Sequence, residues 1–513
     1  MDSTIFTQDD LKEISSRGIS PEKVLNQIAK FKKGMPYTIV VKPCIVNDGV
    51  TVLDDTDIVK YSDIFSDAQK NGRCTKFVPA SGAASRMFKL LLGAAVEPEN
   101  KGAAVEADNT LSAFISELNH YAFYDELKNK MHNDGIVLDE CINKGQVKTI
   151  LEYLLLDKGL DLSSLPKGLI PFHKYADHSR TPFEEHLVEA RNYIRDKNGK
   201  ISVHFTVSPQ HEEKIKAFIE SVLPLYEREG DEFVITYSCQ KLSTDTIAVD
   251  LDDNPFRDEN STLLFRPGGH GALIENLSDL AGDIIFIKNI DNIAADRHKS
   301  LTFKYKKALG GYLVSLQKEI FSHLKILMEE SADDNFIRGV FQFIRDRLSV
   351  IPTQDILNST PEEKKQYLVD VLNRPLRVCG MVKNTGDPGG GPFWVKHPDG
   401  EISIQVVESS QIDLKKSDQK DILQSATHFN PVDLVCGVKD LNGKPFDLNK
   451  YIDHDAGFIS VKSKNGRELK AMELPGLWNG SMAFWNTVFV EVPAGTFSPV
   501  KTVFDLMNDD HRM

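Results

Sequence analysis

Thr75-Lys76-Phe77-Val78-Pro79-Ala80-Ser81-Gly82-Ala83-Ala84-Ser85-Arg86-Met87 is the stretch on which the reading of this 513-residue chain turns. Thr75–Pro79 predicts a short strand, Ala80–Ser85 carries only small side chains, and a helical pattern follows from Arg86 through Leu92. A strand, a small-residue loop and a helix in succession present free backbone N–H groups to a phosphate, and the helix adds the positive end of its dipole. Arg86 can pair with phosphate oxygens in a bidentate way. A tight strand-to-helix turn that is merely rich in small residues would look the same. The rest of the chain therefore has to decide.

On the downstream side, Leu169-Ile170-Pro171-Phe172 reads as a strand leading to a helix over Pro182–Asp196. Ile201–Val207 predicts a strand, Gln210–Leu223 a helix, Phe233–Tyr237 a strand, and Ile284–Asn289 an apolar strand with a polar end. Strands alternating with helices imply a doubly wound, largely parallel α/β sheet, with ligands at the carboxyl ends of its strands. Upstream, Ser20-Pro21-Glu22 starts a helix that Gly34 stops. Leu111–Met131 and Val147–Leu156 read as amphipathic helices, and Ser359-Thr360-Pro361-Glu362-Glu363 carries a capping signal. The organisation expected is a helical lead-in over 1–75 and an α/β core over 76–299 with a helical insertion at 93–160. A second helical insertion covers 300–373, and a further part of the core with the C-terminal segment covers 374–513.

Composition narrows the function without naming it. Hydrophobic residues make up 41% and charged residues 27%, as in an ordinary globular protein. The net charge of −14 argues against a general binder of nucleic acid or anionic membrane. The six cysteines, Cys44, Cys74, Cys141, Cys239, Cys379 and Cys436, form no CxxC pair, so reduced and mostly buried thiols are expected. The N-terminus is acidic and polar, unlike a signal peptide, and no apolar run approaches the ~20 residues that span a bilayer. A cytoplasmic location is expected.

Further segments carry chemistry. Lys167, in Leu165-Pro166-Lys167-Gly168, can reach an α-phosphate, although a lone lysine in a loop is more often solvated surface. Arg266-Pro267-Gly268-Gly269-His270-Gly271 would let a base lie against the main chain while His270 donates to a carbonyl; an ordinary loop reads alike. Asp291, in Asn289-Ile290-Asp291-Asn292 at a strand end, suits an Mg²⁺ that bridges phosphates, and Asp and Asn also end strands as turn residues.

The order of these segments resembles the uridylyltransferases that make UDP-sugars, the UDP-glucose and UDP-N-acetylglucosamine pyrophosphorylases. Pro79–Met87 is similar to their phosphate loop, and Pro166-Lys167-Gly168-Leu169 to their P-K-x-L element. Tyr237-Ser238-Cys239-Gln240 resembles a Q-containing strand near the base, and Pro267–Gly271 a P-x-G-H-G nucleoside segment. Asn289–Asn292 resembles N-x-D-N, and Phe497-Ser498-Pro499-Val500-Lys501-Thr502 resembles F-x-P-V-K-T. The chain as a whole also resembles a bacterial family catalogued as domain of unknown function 4301.

The resemblance implies a Rossmann-like, doubly wound mixed sheet of the nucleotide-diphospho-sugar transferase type, and an enzyme joining a nucleoside triphosphate, UTP by analogy, to a sugar 1-phosphate. It implies that Ala80, Ser81, Gly82, Ala84, Ser85 and Arg86 cradle phosphates, and that Lys167 touches the α-phosphate. Gln240, Gly268, Gly269, His270 and Asn292 would hold the nucleoside, Asp291 would bind Mg²⁺, and Lys501 would neutralise the sugar phosphate or diphosphate. Gly390, Gly391 and Glu408 match the sugar-contacting loops more loosely, so the resemblance makes 76–299 the nucleotide-binding core and 374–513 its sugar-binding part with the C-terminal segment. Two loop glycines of the family are Ser81 and Ala84 here; a positive φ at Ala84 would cost roughly 1 kcal/mol. An inactive nucleotide-sugar-binding protein and a metal-dependent glycosyltransferase are the alternatives.

Overall fold

The computed structural model describes residues 5–96, 104–329, 332–384, 386 and 389–512. The central layer is a ten-stranded sheet. Its spine consists of β1 (Gly49–Thr51), β2 (Cys74–Pro79), β3 (Lys200–Val207), β4 (Glu232–Cys239), β5 (Ile284–Lys288), β6 (Leu376–Lys383), β7 (Asp433–Gly437) and β8 (Asn486–Glu491). Across the sheet the order is β1-β8-β6-β7-β5-β2-β3-β4, with Ile45–Val46 outside β1 and His428–Phe429 beside the end of β6. Strand β7 runs antiparallel to both its neighbours, and the other pairs along the spine are parallel. The carboxyl ends of the parallel strands therefore share one edge, where an open α/β sheet places its ligands.

Both faces of the sheet are covered, which explains why β5 reads as the apolar run Ile284–Ile287 before Lys288, with all five residues buried. On one face lie α1 (Asp55–Lys70), α2 (Pro182–Tyr193), α3 (Glu212–Val222) and, further along the chain, α5 (Lys299–Met328); α4 (Leu273–Asp279) and the antiparallel strands Gly391–Lys396 and Ile402–Val407 cover the other. Helix α5 approaches α1 so closely that a Cβ on Gly311 would stand 1.7 Å from the Tyr61 carbonyl oxygen. Residues 299–328 thus build one face of the core. Helix α2 starts with a capping box between Thr181 and Glu184 and with Pro182 in its first turn.

The expected helix over Leu111–Met131 is two helices, Ala104–Ser116 and Tyr124–Asn133. Tyr121 and Phe123 are both buried and stack at 5.1 Å between ring centroids, which one continuous helical face cannot provide. Leu169–Phe172 is no strand of the sheet. A 3₁₀ turn at Lys167–Leu169 leads instead to a short hairpin, His173–Lys174 with Ser179–Arg180. All six cysteines are free, and all but Cys239 are buried. Among the described residues no helix is long and apolar enough to cross a membrane.

Beneath the carboxyl edge the core holds charge. Lys76 of β2 and Lys288 of β5 share the Glu189 carboxylate of α2 at 2.8 and 2.7 Å, and Lys306 of α5 pairs with Asp433 of β7. All five side chains are buried. Buried charges persist only when paired.

Candidate functional site

Main-chain hydrogen bonds bring the separated motifs together. Pro79 ends β2, and the loop after it is zipped to residues 165–167: Ala84 N–H donates to Leu165 O at 3.0 Å, and Lys167 N–H to Gly82 O at 2.9 Å. Ala80 is pinned to Thr206 O at 2.8 Å. Ala80 and Ala84 are fully buried, so their small side chains fit the core beneath the loop and do not face a ligand. Residue 84 does not adopt a positive φ, and the strain anticipated for alanine there is absent. The amides of Ser81, Gly82 and Ala83 make no hydrogen bond among the described residues, which leaves three successive donors at the strand end.

The loop borders a cleft of about 760 Å³ whose lining includes Ser81, Gly82, Ser85, Arg86, Lys167, Gln240, Gly269, His270 and Asp291. The Lys167 ammonium is 2.8 Å from Asp291 Oδ2 and 2.8 Å from Val500 O. The lysine and the carboxylate singled out in sequence, 124 residues apart, are therefore each other's partners. Asn292 lies just behind: its side chain accepts from Ser498 N–H at 3.0 Å and donates to Pro431 O at 3.3 Å. Val500 N–H donates to Asp291 O at 3.1 Å. Asn292 thus clamps the 498–500 segment to the strand end instead of lining the cleft.

The Pro267–Gly271 loop forms another wall. Gly269 has φ +76°, and a Cβ there would meet Glu473 Oε2 at 2.9 Å. Gly268 lies against the same segment, its carbonyl accepting from Leu474 N–H at 2.9 Å. These glycines serve the approach of residues 473–475. His270 Nδ1 accepts the Leu477 N–H at 3.0 Å, so the ring hydrogen sits on Nε2 and is available to a carbonyl. Burial pushes the His270 pKa down to about 4, and the ring stacks on Trp478 with centroids 4.3 Å apart.

Several lining residues escaped the sequence reading: Arg266, Lys462, Glu473 and Trp478. Arg86, Arg266 and Lys462 have no side-chain partner among the described residues. With Lys167, four cations face two carboxylates, Asp291 and Glu473, so the cleft is net positive in a chain of net charge −14. The remaining predicted residues lie outside the lining. Lys501 is exposed, with its amide on Asp505 Oδ2 at 2.8 Å. Gly390 accepts from Asn430 N–H, Gly391 opens the strand Gly391–Lys396, and Glu408 Oε1 accepts from Asn479 Nδ2 at 2.6 Å, one residue beyond Trp478. No pattern in the sequence marks Arg266 or Lys462; adjacency to the glycine loop was the one hint for Arg266.

Fold and cleft together define a doubly wound α/β protein with a cationic, amide-lined pocket at the carboxyl edge of its sheet. The chain belongs to the family described as Domain of unknown function (DUF4301), whose model matches residues 7–512. No curated protein matches it. Among solved structures it is similar to UDP-glucose pyrophosphorylase from Leishmania major, at 13% identity and a TM-score of 0.45, covering 100% of this chain and 82% of that one. It is also similar to uridine diphosphate N-acetylglucosamine pyrophosphorylase from Trypanosoma brucei, at 12% identity and a TM-score of 0.48, covering 97% of this chain and 76% of that one. A likeness at this level leaves function to the site itself.

Proposed function

We propose that the chain is a nucleotidyltransferase that joins a nucleoside triphosphate, UTP by the family resemblance of its motifs, to a sugar 1-phosphate with release of diphosphate. The observation that carries this reading is the grouping of three free amides at Ser81–Ala83 with Arg86, Lys167 and Asp291 in one net-positive cleft. A sugar phosphate is already an anionic nucleophile and needs no general base. Its oxygen attacks the α-phosphorus, the bond from the α-phosphorus to the bridging oxygen breaks, and the diphosphate leaves with that oxygen's electron pair. The protein's part is to align the reactants and neutralise the charge that builds up.

In this reading the loop amides and Arg86 hold the β- and γ-phosphates. Lys167 turns from Asp291 towards the α-phosphate. Gln240 and the His270 Nε2–H read the base, with Trp478 fixing the imidazole plane. Arg266 and Lys462 add positive charge around the polyphosphate. Among the described residues no three His, Cys, Asp or Glu side chains form a metal cluster. Mg²⁺ binds through one or two carboxylates and shares substrate phosphates and water, and Asp291 places one carboxylate in the cleft lining. Asp291 is the residue that would hold it, and the ion would neutralise phosphate charge. A protein that binds nucleotide sugars without turnover is the second reading, favoured by the position of Lys501 outside the cleft.

Diphosphate release with Mg²⁺ across a grid of nucleoside triphosphates and sugar 1-phosphates tests the proposal. Release that requires both substrates and disappears in Asp291→Ala supports it. Nucleotide-sugar binding without release under any pairing favours the second reading. A second test concerns His270. Its folded pKa of about 4 lies below the unfolded value of about 6.5, so the ring is neutral throughout the range in which proteins are usually assayed. Uridine, which carries no phosphate, is expected to bind with the same affinity from pH 5.5 to 8, and calorimetry checks this. A loss of affinity centred near pH 6.5 would show that the ring is not held neutral by burial.

A further inference from the structure

Helix α2 passes behind the cleft and places His186, fully buried, under the end of β5. Its Nε2 lies 3.2 Å from the carbonyl oxygens of both Asn289 and Ile290. Both partners are acceptors, so Nε2 carries the hydrogen. Nδ1 is buried with no hydrogen-bond partner among the described residues. Burial and the neighbouring Lys76 push the ring's pKa well below its ordinary value. The ring is therefore a neutral, fixed donor.

The two carbonyls stand where the chain leaves the sheet. The turn there is held by Ile290 N–H on Pro79 O at 3.2 Å, Asn292 N–H on Asn289 O at 3.1 Å, and Val500 N–H on Asp291 O at 3.1 Å. A buried imidazole whose Nδ1 makes no hydrogen bond, with Glu189 Oε2 4.0 Å away, is costly where an apolar side chain could pack. What the imidazole supplies in return is a donor to the turn that carries Asp291.

We infer that His186 is a positioning residue for the cleft: its Nε2–H fixes the Asn289–Asp291 turn, and through it the Asp291 carboxylate, relative to the phosphate loop. This rests on the reading of Asp291 as the carboxylate that faces the phosphates. Displacing a catalytic group by about 1 Å can cost on the order of 100-fold in rate. His186→Met removes the donor while filling the space, and His186→Gln keeps an N–H donor.

The experiment compares hydrogen exchange and diphosphate release in the full chain and in both variants. In His186→Met, the amides of Ile290, Asn292 and Val500 are expected to exchange about tenfold faster or more, while the rest of α2 keeps its protection. Turnover is expected to fall by roughly 10- to 100-fold, with little change in KM for the nucleotide. His186→Gln is expected to lie near the original chain on both readouts. Unchanged exchange at Ile290, Asn292 and Val500, or a loss of protection spread evenly over α2, overturns the inference. If the original chain releases no diphosphate, the proposed function fails, and the exchange comparison still decides whether His186 holds the turn.

Discussion

Lys167→Met is expected to slow diphosphate release by about 10²- to 10³-fold, the range seen when one preorganised donor is removed from a developing charge. The ammonium stands between Asp291 Oδ2 and Val500 O, each at 2.8 Å, while the Lys167 amide is bonded to the phosphate loop at Gly82. Methionine keeps the stem and removes the charge. Two losses follow together. The α-phosphate loses its cation, and Asp291 is left as an uncompensated carboxylate that repels the incoming polyphosphate. A double variant, Lys167→Met with Asp291→Asn, should therefore lose less than the sum of the two single effects. Arginine should not restore the rate, because its planar fork cannot reproduce a point charge held between a carboxylate and a carbonyl. Single-turnover release of diphosphate, on protein shown to be folded by circular dichroism, measures all of these. A rate within threefold of the original would remove Lys167 from the chemistry.

Sequence made the loop legible because its information is local. A strand ending in proline, six small residues and a helix reveal their geometry within a dozen positions, as do the capping boxes at Thr181 and Thr360. The pairing of Lys167 with Asp291 is not local, and nothing in either segment announces the other. The same holds for Trp478, which meets His270 across 207 intervening positions as the stacking face of its ring. Gly268 and Gly269 are plain in the sequence, but whether a glycine makes room for a base or for Glu473 depends on what packs opposite. The antiparallel strand β7 was also hidden. Buried on both faces, Asp433–Gly437 shows no alternation, and an apolar run does not give its direction.

Glu189→Met is expected to destabilise the fold by about 3–5 kcal/mol, the cost of leaving buried charge without its partner. That is a large share of the 5–15 kcal/mol that ordinarily separates folded from unfolded domains. Glu189 accepts from Lys288 at 2.7 Å, Lys76 at 2.8 Å and Tyr193 at 3.3 Å, and it is the only carboxylate that the two lysines contact among the described residues. Burial works to raise the Glu189 pKa, but Lys288 and Lys76 outweigh it and hold the carboxyl well below its ordinary value. Its contribution is thus fully present above the unfolded value of about 4.3 and is lost as pH falls towards the folded one. Lys76 gives a slope elsewhere. Burial, opposed by Glu189, pushes it down to about 7, below the unfolded value of about 10.4. Between those values the unfolded chain binds more protons, so this group makes stability rise with pH. In Glu189→Met, Lys76 can escape its isolation only by losing its proton, which becomes easier as pH rises. The variant's deficit should therefore be smaller at pH 9 than at pH 7. The triple variant Lys76→Met, Glu189→Met, Lys288→Met should recover most of the loss, because apolar residues of similar volume replace buried ion pairs with little penalty. Urea unfolding at pH 6, 7.5 and 9 measures each effect. A cost below about 1 kcal/mol for Glu189→Met would mean that the two lysines are not held in the core by this carboxylate.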